Sequence, residues 1–413
     1  MDILHTCVCG LDIHKASIQA CVRRVVPGGR MVQEVRSFGT MTCDLLSLAD
    51  WLSAEGVTHV AMESTGVYWK PIYNIFEGRF EEVLLVNAKH VKNVPGRKTD
   101  VKDSQWLAQL LQCGLLRGSL VPDRPRRELR DLTRHRTQLV GERTAVVNRV
   151  HKTLEDANIK LGVVASDILG VSGRAMLRAL LEGRQSPQQM AQLAHPKMRE
   201  KIPALAQALE GRVTDHHRFL LTELLDQMED LDRRIERFNA RIAELCLPFA
   251  AAIQALDEIP GLDVRGAQNV IAEIGTDMSR FPTAGHLASW AGMCPGNHKT
   301  GGKNRSGKTT QGSRWLRTTL IQAAVAAKQT KKSYFRAQYN RLVRRRGKKK
   351  SQKAVAHSLL TTIWHLFTTG RPYADLGADY FDKLDEARIV KANIRRLEHL
   401  GYSVTVTKTD QAA

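Results

Sequence analysis

Short apolar-rich runs bounded by turn residues fill the first forty residues, and the hydrophobic pattern then takes a helical period. Thr6–Ile13, Ser17–Arg24 and Met31–Phe38 read as strands, with a turn at His14-Lys15 and a hairpin turn at Pro27-Gly28-Gly29. Leu45, Leu48, Ala49 and Leu52 then step by three and four, which predicts a helix. Val57–Glu63 returns to a strand, Trp69–Phe76 fits a short helix and Val83–Val86 a buried strand. After the loop Val94-Pro95-Gly96-Arg97-Lys98 another helix opens at Thr99-Asp100. Farther on, Leu221, Leu225, Met228, Leu231, Ile235, Phe238, Ile242 and Leu245 form a seam along a helix from about His217 to Cys246, of the kind seen in coiled coils. That seam suits either another helix of the same chain or a second subunit.

This pattern sets the expected architecture: α/β followed by α. Three strands in a meander, then alternating helices and strands, is the order of an RNase H-like fold. The expected divisions are 1–125 for this domain, 126–248 for a basic helical linker and coiled coil, 249–370 for a mainly helical third unit, and 371–413 for a tail of mixed helix and strand. Near the start of the third unit, Ile259-Pro260-Gly261-Leu262-Asp263 resembles the turn of a helix-hairpin-helix, with Asp263 capping a helix over Val264–Ile274. Backbone N–H groups at such a helix start suit a phosphate.

Charge narrows the function. The 413 residues carry 62 Lys and Arg against 42 Asp and Glu, a formal net charge of +20, which points to a polyanionic partner and to nucleic acid by default. No apolar run is long enough to span a bilayer, and Met-Asp-Ile-Leu-His lacks the character of a signal peptide, so a cytoplasmic, nucleoid-associated protein is expected. The seven cysteines are odd in number and scattered, and read as structural thiols; Cys7 and Cys9 share one strand face.

Four carboxylates stand out. Asp12 and Glu63 end strands, and Asp100 and Asp103 lie in the first turn of a helix whose apolar stripe continues through Leu107 and Leu110. Acids on an apolar stripe cost desolvation energy unless a cation or donors neutralise them. In the expected fold the strand ends and that helix converge, and hard oxygen donors favour Mg2+ or Mn2+. A pair of such ions roughly 4 Å apart serves phosphodiester chemistry.

The segments Gly10-Leu11-Asp12-Ile13-His14-Lys15, Met62-Glu63-Ser64-Thr65-Gly66-Val67-Tyr68 and Lys98-Thr99-Asp100-Val101-Lys102-Asp103 strongly resemble the DEDD insertion-sequence transposases, described as bridge-RNA-guided recombinases. The resemblance extends through Ile259-Pro260-Gly261, Leu287–Gly296 and Trp315-Leu316-Arg317, so only the tail is left out. It implies a RuvC-like N-terminal domain with Asp12, Glu63, Asp100 and Asp103 as its four acids, and a C-terminal transposase domain with a hydroxyl nucleophile. It also implies double-stranded DNA at element ends and target, a structured non-coding guide RNA, and a homo-oligomer, dimer or tetramer, with composite sites.

The polar stretch between Met293 and Gly312 is the expected place of that hydroxyl. The family's nucleophile is a serine before a glycine; the matching position here is Thr300, followed by Gly301, a departure that keeps the hydroxyl but adds a methyl group. Three readings stay open: Thr300 attacks, Ser306 replaces it, or this copy is impaired. Lys299, Lys303, Arg305 and Lys308 in the same stretch suit phosphate, as does the run Arg344-Arg345-Arg346-Gly347-Lys348-Lys349-Lys350. The leading expectation is an RNA-guided DNA recombinase. A Holliday-junction-type endonuclease without a covalent intermediate is the enzymatic alternative, and an architectural DNA binder the non-enzymatic one.

Overall fold

The computed structural model describes residues 3–64, 66–87, 91, 103–294, 298–305, 309 and 312–407, with backbone only at 298–300 and 303–305. It is mixed α/β at the N-terminus and mostly helical afterwards, in two compact units, Met1–Asp123 and Arg124–Ala413.

The first unit is built on one five-stranded sheet. Its strands are β1 (Cys7–Ile13), β2 (Ile18–Val26), β3 (Arg30–Phe38), β4 (His59–Glu63) and β5 (Glu82–Val86), in the spatial order β3-β2-β1-β4-β5. The meander β1-β2-β3 is antiparallel, whereas β1, β4 and β5 run parallel. Side chains alternate across the sheet. Cys9, Leu11 and Ile13 pack with Val60 and Met62 under helices α1 (Thr42–Ala54) and α2 (Trp69–Phe76). Val8, Cys21 and Ala61 face the other way, onto Ala108 and Leu111 of α3 (Asp103–Gln112).

The strand and helix positions match the hydrophobic pattern to within a few residues. Cys9 is fully buried and Cys7 half-buried on the same face, as their spacing requires. Burial pushes the Cys21 thiol up to about 11. The neutral thiol is the stable form there, in keeping with a packing role.

In the second unit α4 (Arg124–Asp156) runs alongside α6 (Asp215–Leu245), with α5 (Val171–Glu182) packed beside them. Leu221, Leu225, Met228, Leu231 and Ile235 are buried in one core with Leu139, Val146, Val150 and Leu154 of α4 and Met176, Leu177 and Leu180 of α5. The apolar seam of α6 is therefore covered within the chain. Asp232 on α6 ties the three helices together, accepting from Arg143 of α4 and, at 3.0 Å, from Arg174 of α5.

Helices α7 (Ala250–Asp257) and α8 (Val264–Ile274) flank the turn Ile259–Asp263, and the Asp263 carboxylate accepts from Gly266 N at 2.7 Å, the cap its position predicts. Helix α9 (Ala284–Trp290) precedes a two-stranded hairpin, β6 (His298–Thr300) and β7 (Lys303–Arg305). Helices α10 (Arg314–Ala327) and α11 (Tyr334–Thr369) then pack together, α11 kinked at Gly347. The tail forms α12 (Tyr380–Leu384) and α13 (Glu386–His399), with no strand among its described residues. Among the described residues no helix is long and apolar enough to cross a membrane.

Candidate active site and nucleic-acid interface

The register of the central strands places two of the predicted acids side by side. The parallel pairing of β1 with β4 ends at Leu11 opposite Met62, so Asp12 and Glu63 take the next step on neighbouring strands, roughly 5 Å apart by strand spacing. Alternation assigns both to the face that carries Val8, Gly10 and Ala61, and α3 crosses that face. The direction of α3 decides the rest. Its last residue, Gln112, accepts from the backbone N–H groups of Leu4 and His5 just before β1. Its first turn therefore lies toward the opposite end of β1, where Asp12 is, and Asp103 is its first residue.

Gly10 makes this approach possible. A Cβ there would stand 2.3 Å from the Ser104 carbonyl oxygen and 2.5 Å from Ala108 N, so only glycine lets α3 lie so close to β1. Asp12 is partly exposed, with His14 Nε2 3.3 Å from its Oδ2. Glu63 is half-buried and Asp103 exposed. The desolvation argument for the apolar stripe thus fails at Asp103: Leu107 and Leu110 are buried, but the opening residue of the helix reaches beyond the cover of the sheet. Asp100 lies outside the described residues, and among those described no three His, Cys, Asp or Glu side chains form a group able to hold an ion.

Where the sequence suggested only a polar loop, the stretch around Thr300 contains the hairpin β6-β7. Thr300 ends β6 and pairs with Lys303, leaving Gly301 and Gly302 as a two-residue turn with φ of 57° and 76°. Positive φ at both central positions is the signature of a type I′ turn, which matches strand twist and demands residues such as glycine. Both glycines are exposed. Lys299, Lys303 and Arg305 belong to the same hairpin backbone, whereas Ser306 and Lys308 lie outside the described residues.

Sequence reasoning missed the support at the end of this stretch. Glu273, only 3% exposed, accepts a two-pronged hydrogen bond from Arg134 at 2.7 and 2.9 Å and a third from the Ser313 hydroxyl at 3.0 Å. Ser313 in turn caps α10 by accepting from Leu316 N. Arg130 and Arg126 donate to the carbonyls of Ala272, Glu273 and Ile274 in the last turn of α8, where the helix dipole favours cations. Arg136 is held by Gln268 and Asn269, and burial pulls both Arg130 and Arg136 down to about 10. The arginines that crowd α4 are thus partly internal fasteners. Their signal in sequence was only density of charge, which does not distinguish a solvent face from a buried one. Trp315 is half-buried against the guanidinium groups of Arg314 and Arg134, at 4.4 and 5.8 Å, rather than in the core, while Trp364 is half-buried and donates to Phe281 O.

Comparison with known proteins gives this arrangement a context. Residues 9–159 match the profile of the DEDD transposase family of IS110 type, and residues 253–340 match the transposase IS116/IS110/IS902 family. A probable family 20 transposase of Pseudomonas aeruginosa is 30% identical over 65% of this chain and 70% of its own length. The chain belongs to the IS110-type transposase family. A transposase for insertion sequence element IS1111A of Coxiella burnetii is 26% identical over 76% of this chain and 79% of its own, and an insertion element IS116 protein of Streptomyces clavuligerus is 27% identical over 61% and 71%.

Family membership makes the chain a transposase, an enzyme class that cuts and rejoins DNA, and sharpens the question of where DNA lies. From Met278 to Ala374 the transposase has 20 Lys and Arg and no Asp or Glu, and outside that segment the two signs balance at 42 each. The whole excess charge thus sits in the segment that carries the hairpin, α10 and α11. Arg344, Arg345, Arg346, Lys348, Lys349 and Lys350 are exposed on α11 around its kink at Gly347.

Proposed function

We propose that this transposase is RNA-guided and moves its element by transesterification, with Asp12, Glu63, Asp100 and Asp103 holding Mg2+ or Mn2+ and Thr300, or Ser306 in its place, carrying the cut strand. The observation that carries the reading is the meeting of Asp12 and Glu63 on adjacent strand ends beneath the helix that Asp103 opens. The spatial order β3-β2-β1-β4-β5, antiparallel then parallel, supports an RNase H-like, RuvC-like unit. An all-oxygen donor set open to solvent fits a hard divalent ion, which when bound supplies Lewis acidity to phosphodiester oxygens.

The chain's own residues set the rest of the chemistry. The hydroxyl oxygen attacks phosphorus and forms a protein–DNA phosphoester, while the bond to one deoxyribose oxygen breaks and that oxygen leaves with a proton. Attack by a strand hydroxyl on the protein ester reverses the exchange and rejoins DNA. One phosphoester is made for each one broken, so no nucleotide cofactor is needed to drive it. The backbone position of Thr300, at the end of β6 beside an exposed two-glycine turn, supports its choice. Glu273 and Ser313 fix the start of α10, where this stretch ends. Choice of sequence falls to a structured non-coding RNA paired with donor and target DNA. The acid-free segment supports backbone contact with both nucleic acids and offers no motif for reading bases. The family resemblance carries the guide RNA and an oligomeric assembly into this reading.

The test is a covalent-adduct assay. Protein purified with its RNA is incubated with element-end DNA and Mg2+, denatured, digested and analysed by mass spectrometry, beside Asp12→Ala, Thr300→Ala and Ser306→Ala. A DNA-linked peptide containing Thr300, lost in Thr300→Ala and in Asp12→Ala, is expected. Cleavage without any adduct identifies a hydrolytic junction nuclease instead, and cleavage unchanged in Asp12→Ala removes the metal assignment.

A further inference from the structure

A cleft of about 350 Å³ opens between α10 and the second half of α11, lined by Arg317, Thr318 and Gln322 on one side and Lys349, Gln352 and Lys353 on the other. Its charge is all of one sign. Lys349 and Lys353 stand four residues apart on the helix after the Gly347 kink, so they share a face, and Arg317 confronts them from α10. Among the described residues none of the three has a carboxylate partner, and the nearest acids in sequence are Asp277 and Asp375. Burial, with Arg317 close by, pulls the Lys353 ammonium below its ordinary value. A protein that gathers three cations without a counter-charge, and adds a hydroxyl and two amides as donors, has built a seat for an anion.

The cleft also touches the stretch that carries the candidate nucleophiles. Lys353 Nζ donates to the Thr309 hydroxyl at 2.5 Å, three residues beyond Ser306 and nine beyond Thr300. Arg317 follows Ser313, the cap that Glu273 holds, by one turn of α10.

We infer that Arg317, Lys349 and Lys353 form a phosphodiester-binding site for the DNA strand on which the neighbouring hydroxyl acts. The choice of DNA over RNA rests on the function proposed above, because the cleft adjoins the hydroxyl stretch. The site gives the strand a fixed phosphate beside Thr309 of that stretch.

The experiment is a salt titration of binding with full-length protein, followed by fluorescence anisotropy of an element-end duplex. All proteins carry Asp12→Ala so that the DNA stays uncut. The double variant Arg317→Gln/Lys353→Gln is compared with Arg184→Gln/Lys197→Gln, which removes the same charge from exposed positions outside the acid-free segment. Each phosphate contact contributes about 0.9 to the slope of log affinity against log salt. The cleft variant is expected to lose about 2 from that slope and to bind DNA about tenfold or more weakly at moderate salt, with the control unchanged.

Unchanged DNA binding by a folded cleft variant overturns the proposal. So does a loss confined to the element's non-coding RNA, which would assign the cleft to RNA. Should the variant fail to fold, acetylation of Lys353 in the otherwise unsubstituted chain is read by mass spectrometry: protection by the duplex supports the site, and equal labelling with and without DNA refutes it. None of these readouts needs a covalent adduct. A hydrolytic mechanism would therefore remove the Thr300 assignment and leave the DNA-binding result standing, whereas an adduct at Thr300 with an unaffected slope would remove the cleft alone.

Discussion

Gly10→Ala tests the step that links the sheet to the acidic site. The added methyl carbon would stand 2.3 Å from the Ser104 carbonyl oxygen, 2.5 Å from Ala108 N and 3.0 Å from Leu107 Cβ, whereas ordinary contact begins near 3.4 Å. Two of the three obstacles are backbone atoms of α3, so no side-chain rotation relieves the overlap. The helix must withdraw by about 1 Å, the difference between the closest distance and ordinary contact. Overpacking in a filled core costs about 1–3 kcal/mol, and with backbone atoms opposing it we expect the upper end, about 3 kcal/mol. The same withdrawal moves Asp103 away from Asp12 and Glu63. Misplacement on that scale costs roughly 100-fold in rate.

Urea unfolding gives the first quantity and cleavage of element-end DNA at saturating substrate gives the second. Gly141→Ala serves as the opposite control. It lies on the exposed face of α4 with nothing within 4 Å of its would-be Cβ, and is expected to stabilise by about 0.5–1 kcal/mol with cleavage unchanged. If Gly10→Ala unfolds within about 0.5 kcal/mol of the native chain and cuts DNA at the native rate, the close approach of α3 does not position the site.

Three further outcomes are expected. Glu273→Gln should destabilise the second unit by about 3 kcal/mol in urea, because it strands Arg134 and Arg130, while the pair Glu273→Leu/Arg134→Leu should cost less than the single change; equal losses would mean the ion pair is not the reason. Gly301→Val asks a β-branched residue to hold φ near 57°, so adduct formation should fall more than tenfold with an unchanged unfolding midpoint, and normal adduct yield would show that the hairpin turn does not matter to the reaction. Burial alone would raise the Asp232 carboxyl, but hydrogen bonds from Arg143 and Arg174 outweigh it and hold it below the ordinary 3.8. A carboxyl depressed by folding adds stability at pH above its unfolded value, and that stability is lost as pH falls through the folded value. The native chain should therefore lose stability below pH 4 more steeply than Asp232→Asn, and parallel acid curves would contradict the bridge.

The sequence by itself determined most of the elements. The apolar-rich runs between Thr6 and Phe38, bounded by turn residues, and the three-four spacing of Leu45, Leu48 and Leu52 are local patterns, and local patterns survive without knowledge of partners. Asp12, Glu63 and Asp103 were legible as acids at element ends because periodicity marks where elements stop. The hydroxyl stretch was legible by its lack of apolar residues, but its short hairpin was not, since three-residue strands carry no usable period.

Tertiary structure decided everything that depends on which faces meet. Only the register of β1 on β4 sets Asp12 beside Glu63, and only the reversed run of α3, seated on Gly10, brings its first residue, Asp103, to their end of β1. The α6 seam was compatible with a second subunit until α4 and α5 were seen to cover it. The charges of α4 looked like those of α11, yet Arg130, Arg134 and Arg136 are engaged with α8 while Arg344, Arg345, Arg346, Lys348, Lys349 and Lys350 of α11 stay exposed. Charge is a property of the chain, but its availability to a partner depends on what the fold has already paired it with.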